Sequence, residues 1–319
     1  MRGRPVGRSR VSELGFGTAP IGNLYAEVSD EQAEAALAAA WEGGIRYFDT
    51  APHYGLGLAE RRLGLGLRAM ARDEVAISTK VGRLLQPNPF PVGSDLGAGG
   101  FAVPDDLVRR RDYSADGVRR SLESSLERLG LDRVDLVYVH DPTDHLESAL
   151  GEAIPALVAL REQGVVGAVG VGMNLVEPLR RFVAESPIDT VLVAGRYTLI
   201  DRSAGALLEE CADRGVRVVA AAPFNSGLLA RDEPPAQATF DYGPAPDDVL
   251  AAARDCAQVC AAHGVLLPAA ALQFPLRHPA VTCVLAGMRS AAEVRDAIAW
   301  SQAALPDALW DALPAPRRR

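Results

Sequence analysis

Three ionisable side chains stand where short strand-like runs end, and a fourth lies in the turn after the first. The run Ile45 to Phe48 stops at Asp49, and Tyr54 follows in a turn punctuated by Pro52 and Gly55. The run Val75 to Thr79 stops at Lys80, and Val134 to Val139 stops at His140. A free phenol ionises near pH ~10, too high for easy proton exchange near neutrality. A neighbouring ammonium favours the phenolate. A carboxylate beside that ammonium keeps it charged and fixed, and a histidine can hold a substrate oxygen against the phenol. Asp49, Tyr54, Lys80 and His140 therefore make a tunable proton donor–acceptor, suited to carbonyl reduction or alcohol oxidation. The hydride must come from a cofactor, because no side chain carries one.

Such a set meets only if its strands present their C-terminal ends on one face, as in a closed parallel barrel whose βα loops build the active site. The rest of the chain fits that demand. A first strand is expected at 14–19, after a short hairpin closing the bottom of the barrel. Further strands are expected at 45–49, 75–80, 134–140, 166–172, 190–194, 216–222 and 281–286. Between them lie helical patterns, from the Ser29-Asp30-Glu31 start ended by Gly43-Gly44 to a last outer helix at about 306–313. Eight strands alternating with helices give an α/β chain of the (β/α)8 class, read as a single domain over 1–319. Two stretches interrupt the alternation. Residues 81–112, rich in proline and glycine, leave directly after Lys80 and read as a substrate-enclosing loop, an ordinary surface insertion being the alternative. Residues 224–246 form a second long loop over the same face. A doubly wound dinucleotide fold is the competing architecture. The runs Gly15-Phe16-Gly17-Thr18-Ala19-Pro20 and Gly55-Leu56-Gly57-Leu58-Ala59-Glu60 both lack the third glycine of its fingerprint.

The chain has 319 residues, 48% hydrophobic, and a formal net charge of −8. That charge argues against nucleic acid or an anionic membrane as partner, and no apolar run approaches the ~18 residues of a membrane span. The basic N-terminus lacks the apolar stretch of a signal peptide, and Arg317–Arg319 read as a solvated tail. Four cysteines in this length suit a reduced, cytoplasmic protein. The oligomeric state stays open.

The segments FDTAPHYGLGLAERRLG (48–64), STK (78–80) and DLVYVHDP (135–142) closely resemble the aldo-keto reductase superfamily. The resemblance covers nearly the whole chain and sets its catalytic Asp, Tyr, Lys and His on Asp49, Tyr54, Lys80 and His140. The segments GRYTLIDR (195–202), APFNSGLLA (222–230) and AAALQFPLRHPAV (269–281) resemble its L-fucose/D-threo-aldose 1-dehydrogenase branch, to which L-galactose and pyridoxal 4-dehydrogenases belong. The resemblance implies oxidation of a sugar's anomeric hydroxyl to a lactone with NAD or NADP. L-fucose, L-galactose or D-arabinose are the expected substrates, with pyridoxal or a small aldehyde or ketone as the alternative. A cofactor-binding regulatory subunit on the same barrel is the non-enzymatic alternative. It further implies cofactor contacts from Thr18, Asp49, Asn174, Phe224, Asn225, Ser226, Gly227, Gly287, Arg289 and Glu293. NADP-preferring relatives carry a basic residue at the position of Glu293. A carboxylate there would repel a 2′-phosphate and accept a ribose hydroxyl, so NAD is expected over NADP. The chain departs from the superfamily at Gly172-Met173-Asn174, Ala194 and Ala221, where contacts to the nicotinamide are usual. Phe224 or Asn174 are the expected substitutes.

Other constellations have plainer readings. His140-Asp141-Pro142-Thr143-Asp144-His145 gathers metal-ligand types without the three or four convergent ligands zinc needs, so no metal is expected and His145 reads as solvated. Lys80 alone would suit a Schiff-base lysine, which leaves Asp49, Tyr54 and His140 without an economical role. Cys256 and Cys260, at i and i+4, read as buried small hydrophobes rather than a redox or metal pair. His53 either lines the substrate mouth or simply occupies the loop. His263 and His278 read as structural.

Overall fold

In a computed structural model of the chain, residues 1–241 and 243–315 are described; Arg317–Arg319 lie outside them. The polypeptide opens with an antiparallel hairpin, β1 (Gly3–Val6) and β2 (Ser9–Ser12). Its Val6 and Val11 are fully buried among Ala76, Leu136 and Ala168 near the N-terminal ends of the barrel strands, so the expected bottom plug is present. Gly7 makes the turn possible. Its φ is +54°, and a Cβ there would lie 2.7 Å from that of Ala168.

Strands and helices then alternate. β3 (Leu14–Gly17) precedes α1 (Asp30–Glu42), and β4 (Tyr47–Asp49) precedes α2 (Leu58–Leu67). β5 (Ala76–Val81) is followed by a second hairpin, β6 (Arg83–Pro87) and β7 (Leu107–Arg111), before α3 (Ala115–Leu129). β8 (Val134–His140) leads to α4 (Leu146–Ser148), which runs through a π turn at Ala149–Ala153 into α5 (Ile154–Glu162). β9 (Val166–Met173), α6 (Val176–Glu185), β10 (Thr190–Ala194), α7 (Gly205–Arg214) and β11 (Arg217–Ala221) follow. The 224–246 loop holds a small ladder, β12 (Thr239–Phe240) and β13 (Gly243–Pro244). Last come α8 (Asp247–Ala262), α9 (Leu267–Gln273), β14 (Val281–Gly287), α10 (Ala291–Gln302) and α11 (Asp307–Ala312).

β3, β4, β5, β8, β9, β10, β11 and β14 pair in parallel in that order, and β14 closes on β3, completing a (β/α)8 barrel. The sequence explains this locally. α1, α3 and α10 each start on a serine whose side chain accepts the third backbone N–H along, at 3.2, 3.0 and 3.2 Å. α3 and α7 stop at left-handed Gly130 and Gly215. The strands' outward residues, such as Ile77, Val137, Val139 and Val169, pack on buried helical Leu37, Leu63, Leu122 and Leu157 in one continuous core.

The stretch 81–112 differs from its reading as irregular loop. Arg83 to Pro87 pairs in register with Arg111 to Leu107. The two strands lie about twenty residues apart and their apolar residues are grouped rather than alternating, so neither a tight turn nor alternation announces them. The tip is held by two carboxylates: Asp105 accepts Val92 N–H and Gly93 N–H at 2.7 Å each, and Asp95 grips Arg109 through two bonds of 2.6 Å. Among the described residues no single helix is long and apolar enough to cross a membrane.

Candidate active site

Asp49 is the last residue of β4 and lies in register with Ser78 of β5. Lys80, two residues on, shares the face of Ser78 because side chains alternate along a strand. The ammonium of Lys80 donates to Asp49 Oδ2 at 2.6 Å, to the Thr50 carbonyl at 3.0 Å and to Tyr54 Oη at 3.0 Å. Its three donors are thus used, and only 2% of its side chain is exposed. Burial pulls its pKa down, but Asp49 and Tyr54 outweigh that and hold it above the ordinary value. A lysine held as a cation is no Schiff-base nucleophile, which needs a free amine.

Behind Asp49 runs a chain of hydroxyls. Ser78 Oγ donates to Asp49 Oδ1 at 2.6 Å, so its single proton is committed. Tyr47 must then donate to Ser78 at 2.9 Å, and Tyr138 to Tyr47 at 3.3 Å. Burial pushes both phenols above their ordinary range, so they stay neutral donors.

His140 ends β8, its ring edge-on to Tyr54 with centroids 6.1 Å apart and 5.7 Å from that of His53. Burial, reinforced by the Arg83 and Lys80 cations, holds it well below the ordinary imidazole range. His53 is pushed down to about 2 by burial, then Arg83 and Arg109. Both rings are neutral at physiological pH. His140 Nδ1 is buried without a hydrogen-bond partner among the described residues, and Nε2 lies 3.5 Å from Asp141 Oδ2.

The 81–112 hairpin roofs this group. Phe101, 2% exposed, sits 6.1 Å from the Tyr54 ring and 5.3 Å from the His53 ring, and Arg109 donates to the His53 carbonyl at 2.9 Å. His53 is therefore packed between His140 and the hairpin, and the hairpin overhangs the face from which Lys80 points. Sequence reasoning did not single out Ser78, Arg83, Phe101, Arg109 or Asp141 as site residues. Ser78 was findable, two residues before Lys80 on the same face. Phe101 was not, lying far along a stretch without periodicity.

The tetrad occupies the arc β4–β5–β8, and the expected cofactor residues, apart from Asp49, fall on the complementary arc. Thr18 follows β3, its Oγ1 buried without a partner among the described residues. Asn174 follows β9, and its carbonyl accepts from Arg196 at 2.9 Å. After β11 the backbone is left-handed at Ala222, Asn225, Ser226 and Gly227 (φ 54°, 45°, 58° and 91°), a conformation non-glycine residues hold only when neighbours impose it. Asn225 Nδ2 donates to the Gly195 carbonyl at 3.2 Å while its Oδ1 is buried without a partner among the described residues. Phe224 packs edge-on against Trp300 of α10, centroids 6.1 Å apart. Gly287 ends β14 and is exposed. Beyond it, Ser290 caps α10 and Glu293 returns a carboxylate oxygen to the Arg289 N–H at 2.8 Å, with the Arg289 side chain 3.7 Å away. Both Asp49 oxygens are already engaged, by Lys80 and Ser78.

The remaining groups are structural. Cys256 and Cys260 are buried free thiols, pushed by burial to about 12 and about 11, which makes them inert. His145 is exposed, its ring 5.2 Å from that of Tyr113. His263 bonds the Val259 carbonyl at 2.8 Å, and His278 lies 3.2 Å from Glu209. Among the described residues no group of three His, Cys, Asp or Glu converges as a metal site would require.

The Aldo/keto reductase family model matches residues 13–315. A D-threo-aldose 1-dehydrogenase of a Pseudomonas species is 47% identical over 304 residues, covering 94% of this chain and 92% of the relative. A pyridoxal 4-dehydrogenase of Microbacterium luteolum is 41% identical, over 97% and 96%. The L-galactose dehydrogenase of Arabidopsis thaliana is 31% identical, over 91% and 84%. Among solved structures, the holo form of an aldo-keto reductase from Bacillus halodurans superposes with a TM-score of 0.75 at 25% identity, over 100% of this chain and 99% of that one.

Proposed function

The chain belongs to the aldo/keto reductase family and is an NAD(P)-dependent oxidoreductase, and on that premise we propose that it oxidises the C1 hydroxyl of an aldose to a lactone. The substrate class rests on the 47% identity to an aldose 1-dehydrogenase over nearly the full length of both chains. The chemistry rests on one observation: Lys80 bridges Asp49 and Tyr54 at 2.6 and 3.0 Å beneath the neutral His140 ring.

The arc from β9 to β3 suits a dinucleotide. Two buried oxygens there, Thr18 Oγ1 and Asn225 Oδ1, lack partners among the described residues, and the left-handed run through Gly227 is the kind of imposed backbone found at ligand clamps. A bound NAD(P) supplies one thing, an acceptor for the hydride of C1. Thr18, Asn174, Asn225, Ser226 and Gly227 would hold its nicotinamide half, and Gly287, Arg289 and Glu293 its adenosine half. The exposed Glu293 carboxylate repels a 2′-phosphate, which favours NAD.

This chain's own residues do the proton chemistry. As hydride leaves C1, the hydroxyl proton passes to the Tyr54 oxygen and C1 becomes the lactone carbonyl. Lys80, donating to that oxygen at 3.0 Å, stabilises negative charge on it, and Asp49 keeps Lys80 charged and in place. His140, neutral, presents a ring nitrogen to the substrate oxygen. Tyr54→Phe removes the proton acceptor alone. Cofactor binding, followed by fluorescence titration, should stay within a few-fold of wild type while kcat falls by about 10²–10⁴. A variant with near-wild-type kcat would remove Tyr54 from the mechanism. The 41% identity to a pyridoxal 4-dehydrogenase supports a second reading, with the same proton chemistry acting on an aromatic carbinol or aldehyde.

A further inference from the structure

Asp141 follows His140 directly, yet no step above uses it. Its φ is 44°, left-handed for a non-glycine residue, and Pro142 follows, which itself disfavours anything but extended backbone. The conformation is imposed from three sides. Asp141 N–H donates to the Gly172 carbonyl at 3.0 Å, and the buried Tyr113 hydroxyl donates to the carbonyls of both His140 and Asp141, at 2.6 and 3.0 Å. The result is a carboxylate turned back over the reaction centre, with Oδ2 3.5 Å from His140 Nε2 and 2.6 Å from a guanidinium nitrogen of Arg83.

That ion pair is unlike one that only stabilises a surface. Arg83 comes from the roof and Asp141 from the barrel rim, so the pair spans the mouth. The Arg83 side chain is 13% exposed and Asp141 33%, leaving the carboxylate open on one side. Arg83 Nε is buried and unmet among the described residues. An ionised carboxylate has more acceptor positions than one guanidinium contact fills, so spare polar capacity lies next to the His140 ring.

We propose that Asp141, held by Arg83, is the group that recognises the hydroxyl on the carbon adjacent to the reacting one, and so selects polyhydroxylated substrates over plain aldehydes. This rests on the aldose reading, because it takes C1 to lie between Tyr54 and His140. The adjacent hydroxyl then donates to Asp141, whose carboxyl is pushed up by burial while Arg83 opposes that shift. A substrate without that hydroxyl leaves a desolvated carboxylate unsatisfied, which is how such sites reject isosteres.

The test compares L-fucose with 2-deoxy-L-fucose (and L-galactose with 2-deoxy-L-galactose) in wild type and in Asp141→Asn. Asparagine tolerates the left-handed backbone, so the variant keeps the turn. Wild type should favour the full sugar by roughly 10–100-fold in kcat/KM. In Asp141→Asn that ratio should collapse to within about threefold of one, chiefly through a higher KM for the full sugar. Three outcomes overturn the proposal: a wild type that does not discriminate, a variant that does so as well as wild type, and an equal loss on both sugars, which would mean that Asp141 acts only through His140. A wild type that turns over no aldose but does turn over pyridoxal would overturn the aldose reading itself, and this inference with it. The wild-type comparison needs no variant, so a wild type that does not discriminate overturns the proposal even if Asp141→Asn folds poorly.

Discussion

Ser78 is the residue on which the proposed proton chemistry leans without touching substrate. Lys80 is fixed by Asp49, and Asp49 is fixed in turn by the Ser78 hydroxyl at 2.6 Å, backed by Tyr47 and Tyr138. Ser78→Ala removes one of the two protein bonds to a carboxylate only 2% exposed and takes away the acceptor of the Tyr47 proton. Lost buried hydrogen bonds of this kind cost about 1–3 kcal/mol. The expected outcome is a lower melting temperature together with a kcat reduced several-fold and unchanged cofactor affinity, because Lys80 loses precise placement but keeps its charge. A stable variant with full kcat would make the hydroxyl chain ornamental to both fold and site. The tetrad was legible because three of its members end apolar runs, Tyr54 follows in the turn after the first, and the four differ in kind. The hydroxyl chain was legible only in part, since Tyr47 and Tyr138 read as strand interior and nothing in sequence says that their oxygens meet.

At the scale of elements, the second hairpin does what a rigid barrel cannot, closing over the mouth. Arg109 ties it down, reaching Asp95 through two bonds of 2.6 Å and the His53 carbonyl at 2.9 Å. Asp95 is 3% exposed in its side chain, so Arg109→Met strands a buried carboxylate, a defect costing about 3–5 kcal/mol when uncompensated. The loss should fall on the hairpin. Limited proteolysis should cut within 88–106 much faster than in wild type, and KM should rise more than kcat falls. An unchanged cleavage pattern would show that the roof is held by other contacts. The barrel strands were readable nearly to the residue, since β5, β8 and β9 are buried apolar runs bounded by turns. The hairpin was not, because its strands pair across a long tip and its order comes from Asp95 and Asp105 folding that tip on itself. Glu293 teaches a similar point. Its charge was read as cofactor discrimination, yet in the fold it also accepts the Arg289 N–H and caps α10 with Ser290.

Across the whole molecule, the closed barrel presents two arcs on its C-terminal face, which meet between β3 and β4 and between β8 and β9. One, from β4 to β8, carries Asp49, Tyr54, Lys80 and His140. The other, from β9 round to β3, carries the oxygens of Thr18 and Asn225 that lack partners among the described residues, and the left-handed residues Ala222, Asn225, Ser226 and Gly227. On the proposed reading, proton and hydride have separate walls, with the hairpin and Asp141 over the gap between them. That division, with the full-length likeness to an aldose 1-dehydrogenase, makes the account one of aldose oxidation. The most direct test follows absorbance at 340 nm with L-fucose, L-galactose, D-arabinose and pyridoxal, each against NAD and NADP, with the product identified. The account predicts steady reduced-cofactor formation from at least one aldose, faster with NAD than NADP, yielding the lactone. Turnover of pyridoxal alone, or of no aldose with either cofactor, would contradict it.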